Sequence, residues 1–485
     1  MQTKLEALAH RPSPNSTTSK RLLKSALLSI VLGMGTTSQA DAAPATPTCG
    51  DWQASKVYVN GNYVVANKTN WRAKWWTQNN EPGKSDVWEA RPTGECTYDG
   101  GGTTPPDGGT PKGVPTLKEA QADEAAKTSS TLFQQIKASI RTLDTASVEA
   151  VQPGRAANPI NVKRVERILS STDWQTLFAM RDASYTYTRF LQAIAKFPAV
   201  CDDYSDGRNA DAICRKGLAT MFAHFAQETG AHDPGSPIPQ WRQGLYFLRE
   251  AGCRDDDTSC GYNAECDPNT WQGQTWACGK NPNGTWKKYY GRGAKQLSYN
   301  YNYGPFSDAM FGTVRTLLDK PELVADTWLN LASAVFFYVY PQPPKPSMLH
   351  VIDGTWKPNA ADAAANISAG FGATINIING GIECNSGTDK PQATNRISYY
   401  KSMANYLAVP IPANEALSCA TQKPFPSNGG GAQLLNWEQD WSYDPTRADG
   451  KSYACKLVNY QTPFNALKAG DYVKCVEYYF KVTLK

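Results

Sequence analysis

Twelve cysteines, an even set placed behind an export signal, limit what this 485-residue chain can fold into more than any other feature. Lys20, Arg21 and Lys24 precede the apolar run ALLSIVLGMG (26–35), and small residues with Ala40-Asp41-Ala42 follow. Charged, apolar and A-x-A segments in this order read as a signal peptide over 1–42, with an apolar run too short to span a bilayer. The expected product is secreted and extracellular, with no membrane partner. In an oxidising compartment, twelve cysteines read as six disulfides. Cys201/Cys214, Cys253/Cys260, Cys266/Cys278 and Cys455/Cys475 are close enough in sequence to pair. Cys49 and Cys96 bracket one segment, and Cys384/Cys419 would tie down a long loop. Sequence alone does not fix the connectivity. Tight C-x-x-C spacing is absent, so a thiolate zinc site is not expected, nor any other metal or cofactor.

Composition narrows the partners. The net charge of +5 is small and not gathered into basic runs, so nucleic acid is not implied. A monomer is expected. The stretch TYDGGGTTPPDGGTPKGVP (97–115) is almost without apolar residues and reads as a tether. It divides a small Trp-rich piece (43–96) from the rest, with the linker taken as 97–116. Residues 117–166 read as a helical extension without an assigned role, and 167–425 as the main helical body. LVADTWLNLASAVFFYVY (323–340) reads as one buried helix. From 426 to 485, aromatic and β-branched runs such as YVKCVEYYFKVTL read as strands of a small β-rich extension. Trp437 and Trp441 there are either structural or a second sugar-binding piece.

Residues 49–96 are too few to bury a core around five tryptophans, so several rings must stay exposed. Exposed rings stack on the apolar faces of pyranose sugars. Trp52, Tyr58, Gly61, AKWWTQNNEP (73–82) and Trp88 together resemble the short chitin- and cellulose-binding modules of carbohydrate-binding families 5 and 12. That resemblance implies an all-β module in which Trp75 and Trp76 bind sugar, with Tyr58 as a third candidate. Adjacent strand residues point to opposite faces, so the alternative is that one of the tryptophan pair is core.

The stretch MFAHFAQETGAHD (221–233) places an acid between two histidines. Leu218, Met221, Phe222 and Phe225 define a buried helical stripe, and Glu228 falls at its edge, in the last turn before Gly230. Burial and the negative end of the helix dipole both push a carboxyl there towards its neutral form, as a general acid requires. A metal site made of His224, Glu228 and His232 is the alternative, but H-E-x-x-H is absent. An ordinary surface glutamate is the third reading.

Further along lie Glu250 in WRQGLYFLREAGC, then YYGRGAKQLSYNYNYGPF (289–306), PQPPKPSMLHVIDGTWKPN (341–359), GFGATINIINGGIEC (370–384) and NRISYYKSMANYLAV (395–409). In this order, with LFAMRDASYTYTRF (177–190) before them, they resemble the plant-type chitinases of glycoside hydrolase family 19. The resemblance implies a mainly α (α+β), lysozyme-like, bilobal catalytic domain with a deep cleft. Carried over residue by residue, it implies Glu228 as general acid, Glu250 as general base and Ser298 as holder of the attacking water. Gln296, Asn302 and Asn379 become sugar-binding side chains, and Tyr289 a lining of the cleft. Arg396 and Glu383 become members of a charge network near the acid, or simply a structural salt bridge. The family's His before the acid is Gln227 here.

Two carboxylates with separate tasks suit glycoside hydrolysis, one protonating the leaving oxygen and the other activating water on the opposite ring face. Inversion, which the family implies, needs the carboxyls roughly 6.5–9.5 Å apart, with Glu250 in a more solvated loop. The expected activity is that of a secreted endochitinase acting on β-1,4 bonds of chitin and N-acetylglucosamine oligomers. Rival readings are a peptidoglycan-cleaving enzyme on the same fold and a non-catalytic chitin-binding protein.

Overall fold

A computed structural model describes residues 48–98 apart from 55, 60 and 93–95, and residues 112–485 apart from 257–259, 445 and 448. The signal-peptide reading and most of the linker reading fall outside the described residues. The described residues form two compact units. One comprises Ala122–Glu438 and Leu457–Tyr472, and the other the described residues up to Gln121 with Gln439–Lys456 and Val473–Lys485. No helix among the described residues is long and apolar enough to cross a membrane.

The N-terminal piece is all β. Strands β1 (Thr48–Asp51), β2 (Val57–Tyr58), β3 (Tyr63–Ala66), β4 (Thr69–Ala73), β5 (Thr77–Gln78), β6 (Trp88–Arg91) and β7 (Thr97–Tyr98) make a sheet of order β6-β4-β3-β1-β7 and a separate β2-β5 pair. Cys49–Cys96 closes it. Its five tryptophans divide three ways. Trp88 is buried against Tyr58, edge to face at 5.1 Å, and Trp52 and Trp71 pack half-buried on that core. Trp75 and Trp76 remain 48% and 51% exposed. They occupy the bend between β4 and β5, where strand alternation no longer applies, so both rings face outwards. Tyr58 is only 2% exposed, and its hydroxyl accepts the Gln53 N–H at 2.8 Å. It therefore belongs to the core, correcting its reading as a binding residue.

The other unit is helical. From Ala122, within α1 (Leu117–Lys127), its chain runs through α2 (Thr131–Ser139), α3 (Thr145–Glu149), α4 (Ile160–Ile168), α5 (Ser171–Leu177), α6 (Tyr187–Lys196), α7 (Ala210–Thr229), α8 (Trp271–Thr275) and α9 (Asn300–Phe311). There follow α10 (Arg315–Asp319), α11 (Leu323–Asp326), α12 (Leu329–Val339), α13 (Met348–Ile352), α14 (Ala360–Ala364), α15 (Phe371–Glu383) and α16 (Pro391–Tyr406). Helix α7 is the axis. Asn209 caps its start by accepting the Ala212 N–H at 3.0 Å, and Gly217 through Ala226 are buried all round. Trp174 of α5 stacks on Phe190 of α6 at 4.7 Å, and Phe178 meets Phe222 of α7 edge to face at 5.1 Å. Truncating a ring of this kind to alanine costs about 3–5 kcal/mol, so the cluster sets the place of α7. The segment without an assigned role packs here too: Arg164 of α4 holds Asp211 of α7 at 2.7 Å.

Two expectations change. The single helix over 323–340 is two, α11 and α12, because the Thr327 hydroxyl donates to Leu323 O at 2.8 Å and also accepts the Leu329 N–H at 3.3 Å. The C-terminal run read as strand is helix α17 (Asp471–Phe480). Its buried residues, 471, 472, 475 and 476, recur at helical spacing, and period outweighs the β-propensity of its aromatic residues. The strands of this region are β8 (Asn436–Gln439) and β9 (Cys455–Val458). Trp437 is fully buried against Tyr472, while Trp441 is 66% exposed. All six disulfides form as paired above.

Candidate active site

Helix α7 ends by handing its last turn to the chain that follows. The Thr229 hydroxyl donates to Phe225 O at 2.6 Å and accepts the Leu245 N–H at 2.8 Å. Its carbonyl takes the N–H groups of Tyr246 and Phe247. The residue before it, Glu228, and the loop leading to Glu250 are thereby fixed to each other.

Glu228 lies at the edge of a buried charge cluster. Its Oε1 accepts from Arg396 Nη2 at 2.5 Å, and Lys295 Nζ lies 3.6 Å from Oε2. Arg396 comes from α16, which packs along α7. The same guanidinium donates to Glu383 Oε1 at 2.9 Å and Oε2 at 3.0 Å, and to His224 Nδ1 at 3.1 Å. Asn379, where α15 departs from helical geometry, donates to Glu383 at 2.7 Å. Glu383 is fully buried and Arg396 is 2% exposed. With an arginine proton on Nδ1, the proton of His224 sits on Nε2, pointing at Thr374 Oγ1 2.9 Å away. Burial holds this histidine well below its ordinary pKa, and Arg396 adds to the effect.

Two carboxylates and two cations make the cluster neutral. That changes the expectation for Glu228. Burial does push its carboxyl upwards, and is the largest single influence, but Lys295 and then Arg396 together outweigh it and the pKa is lowered. One unit charge about 4 Å away is worth roughly 4 kcal/mol at a near-surface dielectric, ample to reverse a burial penalty when two are present. The helical wheel that predicted a raised pKa counted only the residues of its own helix.

Glu250 is held differently. It is half-buried in a loop; Oε1 accepts the Tyr262 hydroxyl at 2.7 Å and Oε2 the Gly291 N–H at 3.0 Å. Its own N–H returns to Gly291 O at 2.8 Å. The disulfide Cys253–Cys260 closes the segment between Glu250 and Tyr262. The loop is thus tied at both ends, more so than the solvated loop expected from sequence.

One turn, 293–296, touches both carboxylate settings. Lys295 reaches Glu228, while Gln296 abuts Gly291. A Cβ added at Gly291 would lie 2.8 Å from Gln296 Oε1 and 3.3 Å from Glu250 Oε2. Ser298 follows, 6% exposed, with Oγ donating to Gln296 O at 3.0 Å; Asn302 donates to Ser298 O at 2.9 Å. Gln296 therefore lies close to the backbone that holds Glu250, with Ser298 and Asn302 bonded in turn behind it, while Asn379 and Glu383 are linked to Glu228 through Arg396.

Tyr289 joins neither group. It is fully buried, its hydroxyl donating to Leu318 O at 2.6 Å and accepting the Gly279 N–H at 2.8 Å. A ring spent at its polar end inside the core cannot line a cleft, which corrects that reading. The metal alternative fares similarly. His224 is engaged as described, and His232 contacts Gln227 O at 3.0 Å and the Tyr399 hydroxyl at 3.1 Å. Among the described residues no group of three or more metal-binding side chains converges. Sequence reasoning missed Lys295 and Tyr262. A lysine within a Gly-rich turn reads as solvated, and nothing in the disulfide-tied loop singles out its tyrosine.

Endochitinase 1 of Solanum tuberosum is 37% identical over 243 residues, 50% of this chain and 67% of that protein. Endochitinase B of Nicotiana tabacum is 38% identical over 243 residues, 50% of this chain and 66% of that protein. Among solved structures, chitinase C from Streptomyces griseus HUT6037 is 24% identical with a TM-score of 0.38, covering 76% of this chain and 99% of that one. Residues 163–419, more than half of the chain, match the profile of glycoside hydrolase family 19, chitinase class I. The chain belongs to that family and is a glycoside hydrolase of the chitinase class.

Proposed function

We propose that the protein is a secreted endochitinase that cleaves β-1,4 bonds between N-acetylglucosamine units with inversion at the anomeric carbon. Glu228 is the general acid and Glu250 the general base. Ser298 and Tyr262 surround the attacking water's side of the site, and Gln296, Asn302 and Asn379 offer amides to sugar hydroxyl and acetamido groups. The observation that carries this reading is the short stretch 291–295, in which Gly291 N–H bonds Glu250 and Lys295 pairs with Glu228, two carboxylates of contrasting environment. One carboxylate sits among buried cations, and the other accepts, among the described residues, from neutral donors.

The chemistry follows from that contrast. Glu250, as an anion with two neutral hydrogen bonds, can draw a proton from water. Glu228 must hold a proton when the leaving oxygen departs, yet in the empty site two cations favour its anion. A pyranose ring seated against the carboxyl excludes water and adds no charge, so it moves Glu228 in the direction burial already pulls. The N-terminal module, through Trp75 and Trp76, holds insoluble chitin and raises the local concentration of enzyme.

Glu228→Gln is expected to lower kcat on soluble N-acetylglucosamine oligomers roughly 10²- to 10⁴-fold while leaving the chain folded and bound to chitin beads. Wild-type turnover in that variant would refute the acid assignment. Fresh product followed by proton NMR should be the α-anomer; an initial β-anomer contradicts inversion.

A further inference from the structure

Among the buried charges beside the proposed acid, Lys295 has no task in that scheme. Its turn is clamped on both sides. Gly293 N–H donates to Leu248 O at 2.9 Å, and Ala294 N–H to Asn330 O, on α12, at 2.7 Å. Gly293 has φ +73°, and a Cβ there would lie 2.6 Å from Asn330 O, so only glycine fits and the turn cannot slide. Lys295 leaves this fixed backbone with 5% of its side chain exposed. Its ammonium lies 4.6 Å from the Phe337 ring centroid and 3.6 Å from Glu228 Oε2. Among the described residues Glu228 is its only anion within ion-pair distance.

An apolar side chain would fill that space without the cost of desolvating an ammonium, so what the lysine adds is charge. Arg396 divides its ion pairs between Glu228 and Glu383, whereas Lys295 pairs, among the described residues, with Glu228 alone. The other titratable groups facing the carboxyl do not replace it. His224 on the same helix is buried and neutral, Glu383 on α15 acts through Arg396, and His232 in the loop after α7 is lowered by burial. Lys345, in the loop after α12, donates to Ile377 O at 3.0 Å, and its own pKa is lowered by burial and then by Lys295.

We propose, on the reading of Glu228 as the acid, that Lys295 is a positioning residue for the reaction. It fixes Glu228 Oε2 while Arg396 holds Oε1, and it sets the pH range in which the acid can carry its proton. The sign is definite: an opposite charge this close favours the carboxylate, so removing it makes Glu228 easier to protonate.

The test is the pH profile of kcat/KM on soluble oligomers for wild type, Lys295→Met and Lys295→Arg. In Lys295→Met the limb belonging to Glu228 should move up by roughly one to three pH units. Lys295→Arg should leave it near the wild-type position. An unmoved limb in Lys295→Met, or the same displacement in both variants, overturns the proposal, since a purely structural lysine would lower activity at every pH alike. Lys295→Gln carries the same expectation should the methionine variant not fold. Carbon-13 NMR of labelled glutamate carboxyls, assigned by the signal lost in Glu228→Gln, follows the same titration without turnover. Failure of the acid reading, seen as activity in Glu228→Gln, is thus distinguishable from failure of the role of Lys295, seen as an unchanged titration.

Discussion

The N-terminal module and the helical unit break the ordinary rules of burial in opposite directions. In the module, two large apolar rings, Trp75 and Trp76, face solvent while their neighbours Tyr58 and Trp88 are buried. In the helical unit, the charged side chains of Glu383, Arg396 and Lys295 are buried. Each departure costs free energy, so each is where a role beyond folding is to be sought. The module does its proposed work with exposed apolar surface and needs little precision. The helical unit works with buried charge, and there every partner matters.

The sharpest way to break that contrast is at Arg396. Arg396→Met leaves Glu228 and Glu383 with no shared guanidinium, and should destabilise the helical unit by about 3–5 kcal/mol in denaturant unfolding. Arg396→Lys keeps a charge but not the fork that reaches His224, Glu228 and Glu383 together, so it should recover only part of the loss. Equal stability of Arg396→Met and wild type would mean the cluster is not a cooperative unit.

The module should respond more mildly and in one assay only. Trp75→Ala with Trp76→Ala should weaken retention on chitin beads roughly tenfold, at about 0.5–1.5 kcal/mol per ring, with kcat/KM on soluble oligomers unchanged. Loss of turnover on the soluble substrate would erase the division of labour.

The smallest effect is a pH dependence carried by His224. Its folded-state pKa lies well below the ordinary 6.5, so the unfolded chain binds a proton first as pH falls. Its contribution is complete above about pH 6.5 and shrinks by at most about 1.4 kcal/mol per pH unit below that. Thermal melts between pH 5 and 8 should show the decline, and His224→Gln should flatten it.

Much of this was readable from the residues. Helix α7 announced itself by its apolar period, and Trp75 and Trp76 by a tryptophan count that no 48-residue core can absorb. Tyr58 and Tyr289 were misread because an aromatic side chain has the same sequence signature whether it packs or protrudes. The depressed pKa of Glu228 was illegible for another reason: its two cations arrive from a turn 67 residues downstream and a helix 168 residues downstream, and no local pattern reports their approach. The C-terminal helix was lost by weighing residue type over period.

The placement of two crosslinks has a consequence of its own. Cys384 adjoins Glu383 and is joined to Cys419, while Cys253–Cys260 closes the loop that brings Tyr262 to Glu250. The aromatic packing of α5, α6 and α7 contains neither bridge. Replacing either pair by serines, Cys384 with Cys419 or Cys253 with Cys260, should therefore silence turnover while Cys201–Cys214 still braces α7, giving a protein that looks intact by circular dichroism yet no longer releases sugar.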